Sequence, residues 1–231
     1  STYISLKKYN FELNAQAVWK ILKRTVVIFA IGLCIAYFSL LCCTHNPLPF
    51  DNIRILGVMQ RLALSYGVTA IVALVMSHKH IPYLIFVLLA GYFGILFFGN
   101  GYEYNETNIL SVVDRAILGT NHMYKDNGID PEGLLSTLPA IAHVLIGFCC
   151  GKLLMEVKDI HEKIERLFII GTVLTFAGFL LSYGCPINKK VWSPTFVLTT
   201  CGLASSFLAL LVWFIDVKGY KKWSRFFASF G

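Results

Sequence analysis

"GIDPEGLLSTLPAIAHVLIGFCCGKLL", residues 128–154, passes from an acidic Pro/Gly turn straight into an apolar run. At 1.5 Å per residue, about 20 such residues cross the hydrocarbon core of a bilayer. Whether this run is a membrane span or a buried soluble helix decides the fold, and composition answers for the membrane. The chain has 231 residues, of which 56% are hydrophobic and only 14% charged. Its mean hydropathy is +0.65. Soluble domains carry roughly 25% charged residues, so most of this chain meets a solvent other than water.

Working outward from 134–155, five more apolar segments lie at about 25–43, 55–76, 81–99, 167–184 and 194–215. The expected fold class is all-α, a polytopic transmembrane helix bundle of about six spans. Residues 1–231 read as one membrane domain belonging to a larger bundle. Truncation at both ends is expected, because Ser1 stands where Met would and "RFFASFG" opens a further apolar segment.

The net charge of +7 does not point to nucleic acid, because the basic residues form no single stripe. They fall between apolar runs, as orientation signals do. With the N-terminus inside, fourteen are inside: Lys7, Lys8, Lys20, Lys23, Arg24, Lys79, Lys152, Lys158, Lys163, Arg166, Lys218, Lys221, Lys222 and Arg225. Five are outside, namely Arg54, Arg115, Lys125, Lys189 and Lys190, and Arg61 lies within a span. Loops 44–53, 100–133 and 185–193 are therefore expected outside. In the longest, "NILSVVDRAILG" spaces Ile109, Val112, Val113, Ala116 and Ile117 along one face of a short interfacial helix. The seven cysteines form no C-x-x-C pair and mostly sit in apolar runs, so packing is expected of them, with no metal site.

Polar groups inside a membrane bundle need a partner or a wet cavity. Arg54 and Arg61, seven residues apart, share a helix face about 10 Å apart along the axis, and Ser65 continues it. They fit a phosphate or carboxylate site, or pair with Asp51, Asp114 or Glu132. Asp114 and Arg115 are adjacent, so each must find a partner elsewhere. His122 is the candidate outer proton carrier, alongside Asn121 and Tyr124. Asp130-Pro131-Glu132 reads locally as an N-cap, a first-turn Pro and a dipole-facing acid. His143 shares a stripe with Ser136 and Pro139, and an interhelical hydrogen bond explains it. His45, His78 and His80 show no metal-ligand spacing. Asn188, Lys189 and Lys190 form an outer rim, with Trp192 as an interfacial anchor.

Six strings occur in order: "RILGVMQRLALSY", "VVDRAILGTNHMY", "DPEGLLSTLPAI", "GKLL", "NKKVWSPTFVLTT" and "DVKG". Together, from Arg54 to Gly219, they resemble the transmembrane acyltransferases related to heparan-alpha-glucosaminide N-acetyltransferase, including bacterial relatives linked to N-acetylglucosamine. The resemblance implies transfer of an acetyl group from acetyl-CoA to a glucosamine-like amine on the far side of a membrane. The family's proposed active histidine lies upstream of the matched region and has no counterpart here. Carried onto this chain, the motifs imply Glu132, Asp130 and His122 as catalytic candidates, and Arg54, Gln60 and Arg61 as contacts to CoA. Asp114, Arg115, Asn188 and Lys189 are candidates for the acceptor. The expected partners are the lipid bilayer and an amino-sugar or glycan acceptor, with homo-oligomer formation left open. The compact loop before Asp114 resembles bacterial relatives, which implies an inner membrane; a eukaryotic source would imply a lysosomal one. An amino-sugar permease without covalent chemistry is the rival reading.

Overall fold

The computed structural model describes residues 2–7, 11–44, 53–124 and 129–220. In chain order its helices are α1 (Thr2–Lys7), α2 (Ala15–Thr44), α3 (Val58–Val75), α4 (Ile81–Phe98), α5 (Ile109–Leu118), α6 (Thr137–Glu156), α7 (Ile160–Leu181) and α8 (Pro194–Val212). Among the described residues, six helices are long and apolar enough to cross a membrane: α2, α3, α4, α6, α7 and α8. The expected all-α bundle is what the chain forms.

Three helix starts differ from expectation, each for a local reason. Hydropathy places the first span at 25, yet α2 begins at Ala15 and carries Lys20, Lys23 and Arg24 in its early turns. Hydropathy detects the apolar part of a helix, and basic stems can extend beyond the hydrocarbon edge. Similarly, α7 starts at Ile160 rather than 167, because Asp159 caps it by accepting the Glu162 N–H at 2.8 Å. Arg166 and Glu162 then form an i,i+4 pair at 2.6 Å along the polar turns.

The third difference bears on function. α6 begins at Thr137 with Ser136 as its N-cap, so Asp130 does not cap it. Asp130 instead opens a turn in which Gly133 N–H donates to Asp130 O at 3.0 Å. The Asp130 carboxylate accepts the Glu132 N–H at 3.0 Å, an Asx turn. Residues 130–136 are thus a folded entrance, and Glu132 does not lie on the α6 stripe that carries His143.

α6 is central, touching α1, α3, α4, α7 and α8, while α2 leans mainly on α3. The outer face of α2 exposes Trp19, Val26, Ile31 and Phe38. The closest pair is α7 with α8, whose backbones meet at Gly171, Gly178 and Gly202. A Cβ on Gly202 would lie 2.5 Å from Thr175 N and 2.7 Å from Gly171 O. Gly202→Ala is therefore expected to force the helices apart and cost about 1–3 kcal/mol. In detergent its thermal midpoint should fall clearly below that of Gly147→Ala, whose added methyl meets open space. Equal midpoints would mean that the close approach is not needed.

At one end of the bundle, α1 and Phe11 close over α6 in a ring cluster. Phe11 meets His78 edge-on with centroids 4.5 Å apart, and Phe148 packs at 5.3 Å from His78. Tyr3 O–H donates to Glu156 at 2.9 Å, and burial with this carboxylate neighbour pushes its pKa up to about 12. At the opposite end, which the charge bias assigns to the outside, lie α5 and the segments 53–57, 119–124, 129–136 and 182–193. α5 forms where expected, its N-terminus capped by the buried Asn108, which accepts the Leu110 N–H at 2.9 Å. Its expected apolar face, including Val112, Ala116 and Ile117, turns outward, and Leu110, Ser111 and Asp114 turn in.

Candidate active site

The outer segments are held together by Arg54. Its guanidinium ion-pairs with both Asp130 and Glu132, and its Nε–H donates to Asp130 Oδ2 at 3.3 Å. It also lies 4.7 Å over the Tyr124 ring. Burial works against the charge on Arg54, but the two carboxylates outweigh it and hold its pKa above the ordinary value. Asp130 is fully buried, and its oxygens also accept the Tyr124 N–H at 3.0 Å and the Glu132 N–H. Every acceptor face of Asp130 is in use. Glu132 keeps some exposure, with a side chain 17% accessible.

Asp114 and Arg115 do point apart. Arg115 meets Glu106 at 2.9 Å on the surface and holds that carboxyl below its usual pKa. Asp114 turns inward, and its Oδ1 accepts the Leu134 N–H at 2.8 Å. Gly133 lets this carboxylate approach, since a Cβ there would sit 1.9 Å from Asp114 Oδ2. Burial pushes the Asp114 pKa up to about 6; the bond from Leu134 opposes the rise and the charge of Asp130 adds to it. The folded state then holds this proton more tightly than the unfolded chain, whose Asp titrates near 3.9. The contribution is fully present below about pH 4 and is lost as pH rises through 6, amounting to about 2–3 kcal/mol. The thermal midpoint should therefore decline between pH 4 and 7, and Asp114→Asn should flatten that decline. An unchanged slope in the Asn variant would assign it to another group.

Arg61 lies one turn inside α3 and is 5% exposed. One of its nitrogens, Nη2, donates to Pro131 O at 2.8 Å and to the Ser136 hydroxyl. Ser136 O–H in turn donates to Gly133 O at 2.9 Å. Its guanidinium carbon sits 4.4 Å over the Trp192 ring. Trp192, expected as an interfacial anchor, is half-buried. The indole packs back onto Arg61, and its buried Nε1 has no partner among the described residues. The reason is a strained turn: Trp192 has φ 51°, sparsely populated for a bulky residue. Tyr92 O–H to Val191 O at 2.6 Å and Ser193 N–H to Asn188 O at 3.0 Å hold that turn in place.

His143 lies 6.2 Å from Trp192 by ring centroids. The interhelical hydrogen bond expected of it does not appear at Nδ1, which has no partner among the described residues. The remaining candidates spread outward. His122 Nδ1 meets Ile53 O at 2.8 Å and Ile55 N–H donates to His122 O at 3.2 Å, so this histidine staples the chain beside Arg54. Gln60 is 2% exposed, with its amide against Gly32 of α2 and Gly57. Asn188 donates to Tyr104 O–H at 2.5 Å and accepts the Lys190 N–H at 2.9 Å, closing the outer hairpin, and Lys189 is exposed. His45, Asp51 and Lys125 lie outside the described residues. Among the described residues, no group of three His, Cys, Asp or Glu side chains is placed to hold a metal ion.

The structure thus brings together Arg54, Asp130 and Glu132 in one layer, with Arg61, Ser136 and Trp192 adjoining through Pro131. Three participants were not legible as such: Trp192 as a partner of Arg61, Gly133 as a point of close approach, and Tyr92 as a support. A glycine next to an acidic turn is a weak signal of the second. Nothing local signals the other two.

No family model matches the chain. It is similar to heparan-alpha-glucosaminide N-acetyltransferase of Mus musculus, 28% identical over 244 aligned residues, which take in 79% of this chain and 36% of the relative. The Homo sapiens protein of the same name is 27% identical over 245 residues, with the same coverage. The chain thus spans little more than a third of the length of the curated relatives it matches. These matches support the relationship to a transmembrane acetyltransferase family that the ordered motifs had suggested.

Proposed function

We propose that this chain forms part of a membrane-embedded acyltransferase. It moves an acetyl group from acetyl-CoA to the amine of a glucosamine-like sugar at the outer or lumenal face. The observation that carries the reading is the arrangement around Arg61. This buried cation stands next to two carboxylates at one end of the bundle, at the head of a buried polar stripe on α3. Ser65 and Thr69 follow it at steps of four, 1% and 0% exposed, with hydroxyls unpartnered among the described residues. Such a stripe suits a long polar ligand entering from the other side of the bundle.

The chemistry requires a neutral amine at the thioester carbon, and donors toward the oxygen on which charge develops. Glu132, partly accessible, is the carboxylate best placed to receive sugar hydroxyls and the amine. Asp130 supports it by fixing Arg54 and the turn. Arg54 spends its fork on these two acids, so Arg61 is the guanidinium with donors left for CoA or its thioester. His122, Asp114, Arg115, Gln60, Asn188 and Lys189 shape the surrounding segments, with Lys189 drawing anionic or polar acceptors to the rim.

The test is to reconstitute the full-length protein in vesicles, supply labelled acetyl-CoA on one side and glucosamine on the other, and look for labelled N-acetylglucosamine. Product that depends on both substrates supports the reading. Glucosamine that crosses the membrane without product would make the chain part of a permease, for which the same buried stripe is the pathway.

A further inference from the structure

Arg61 and the half-buried Trp192 stack on each other and share an unusual property: each has buried hydrogen-bond donors that are uncommitted. Nε and Nη1 of Arg61 and Nε1 of Trp192 have no partner among the described residues. Arg and Trp side chains only donate, so no reorientation lets these groups satisfy one another. Leaving three donors unpaired in an apolar interior is costly. The Trp192 backbone is also held at φ 51° by bonds to its neighbours, in an arrangement that places the indole on Arg61. The stack uses the π face of the indole and leaves its N–H edge uncommitted.

Charge decides what kind of acceptor fits. Two guanidiniums, Arg54 and Arg61, already face two carboxylates, Asp130 and Glu132. A phosphate would add uncompensated negative charge to a buried site. A carbonyl oxygen adds none in the ground state and gains charge only as the reaction proceeds. Donors arranged for it act more strongly in the transition state than before it.

We propose that Trp192 Nε1–H and one uncommitted N–H of Arg61 receive the carbonyl oxygen of the acetyl thioester and hold the oxyanion formed from it. This assignment rests on the acetyltransferase reading above. As the amine nitrogen attacks, the C–N bond forms and the carbonyl π pair moves onto oxygen, against these two donors. The pair then returns, the C–S bond breaks, and the thiolate leaves and takes up the proton released by nitrogen. The products are the N-acetyl sugar and free CoA thiol.

The test measures kcat and both KM values in the full chain, with acetyl-CoA and glucosamine as substrates. Trp192→Phe keeps a ring under Arg61 and removes the N–H. Trp192→benzothienylalanine keeps the bicyclic shape and puts sulfur where the N–H was, which guards against a packing defect in the Phe variant. Both should lose about 10²-fold in kcat, with each KM within about twofold of wild type and the thermal midpoint unchanged. A benzothienylalanine variant with wild-type kcat, or one whose loss lies in KM alone, overturns the assignment while the acetyltransferase reading stands. Wild-type protein that makes no N-acetylglucosamine overturns both.

Discussion

Asp130→Asn is expected to unfold the outer end of the bundle, at a cost of about 2–4 kcal/mol. Each oxygen of this buried carboxylate serves two donors: one meets Arg54 and the Glu132 N–H, the other Arg54 and the Tyr124 N–H. An amide can keep only one of these faces. Whichever way it turns, its NH2 group opposes donors, and Arg54 loses an anion in a half-buried setting. Breaking a buried charged pair on one side costs several kcal/mol because the other charge stays behind. Were Asp130 a helix cap, Asn would replace it almost freely, so the same substitution separates the two roles. Glu132→Gln, at the accessible end of the same bracket, should cost about 1 kcal/mol or less. Thermal unfolding of both variants in detergent would show it. A midpoint for Asp130→Asn close to wild type would return Asp130 to the role of a simple cap.

Arg61→Lys should abolish most turnover while retaining the charge, with kcat lowered about 10³-fold or more. Lysine offers a point charge where Arg61 offers a planar fork. It can replace the bond from Nη2 to Pro131 O, but a tetrahedral ammonium cannot at the same time hold Ser136, lie flat over the Trp192 ring and present a further N–H. The readout also separates two roles for this residue. A contact to the phosphates of CoA would appear chiefly as a raised KM for acetyl-CoA, because lysine binds phosphate less specifically but still binds it. A role at the reacting carbonyl appears in kcat. A variant with near-normal kcat and a high KM for acetyl-CoA would move Arg61 from the reacting atoms to the nucleotide end.

The bundle itself was legible because hydropathy is a local sum. Six spans, the short α5 helix and the outward face of that helix all follow from runs and periodicities within about 20 residues. Helix starts were legible where the decisive cap sits next to an apolar run. They were not where α2 and α7 extend through charged turns, since a charged turn reads the same as a loop. The candidate site was partly legible. Arg54, Arg61, Asp114, Asp130 and Glu132 stand out as charges that a membrane protein must explain, and the structure gathers four of them into one bonded layer with Asp114 against its edge. Their pairing was not legible. Arg54 and Asp130 are 76 residues apart, and no local rule distinguishes that pair from Arg54 with Asp114.

The sequence by itself determined the solvent, the six apolar runs and the inventory of polar groups, because each depends on residue types counted along a short stretch. It also carried a resemblance to a family, in six strings that are informative together and in order. Only the tertiary structure decided that "DPEG" is a turn bound to Arg54, so that α6 begins at Thr137. It also decided that Trp192 turns back onto Arg61 and that Arg61 retains free donors. These outcomes come from competition among distant partners. Arg54 occupies both acids, Asp114 occupies the Leu134 N–H, and the strained hairpin holds the indole in place. What each group has left to offer a substrate depends on which bonds its distant neighbours have already made.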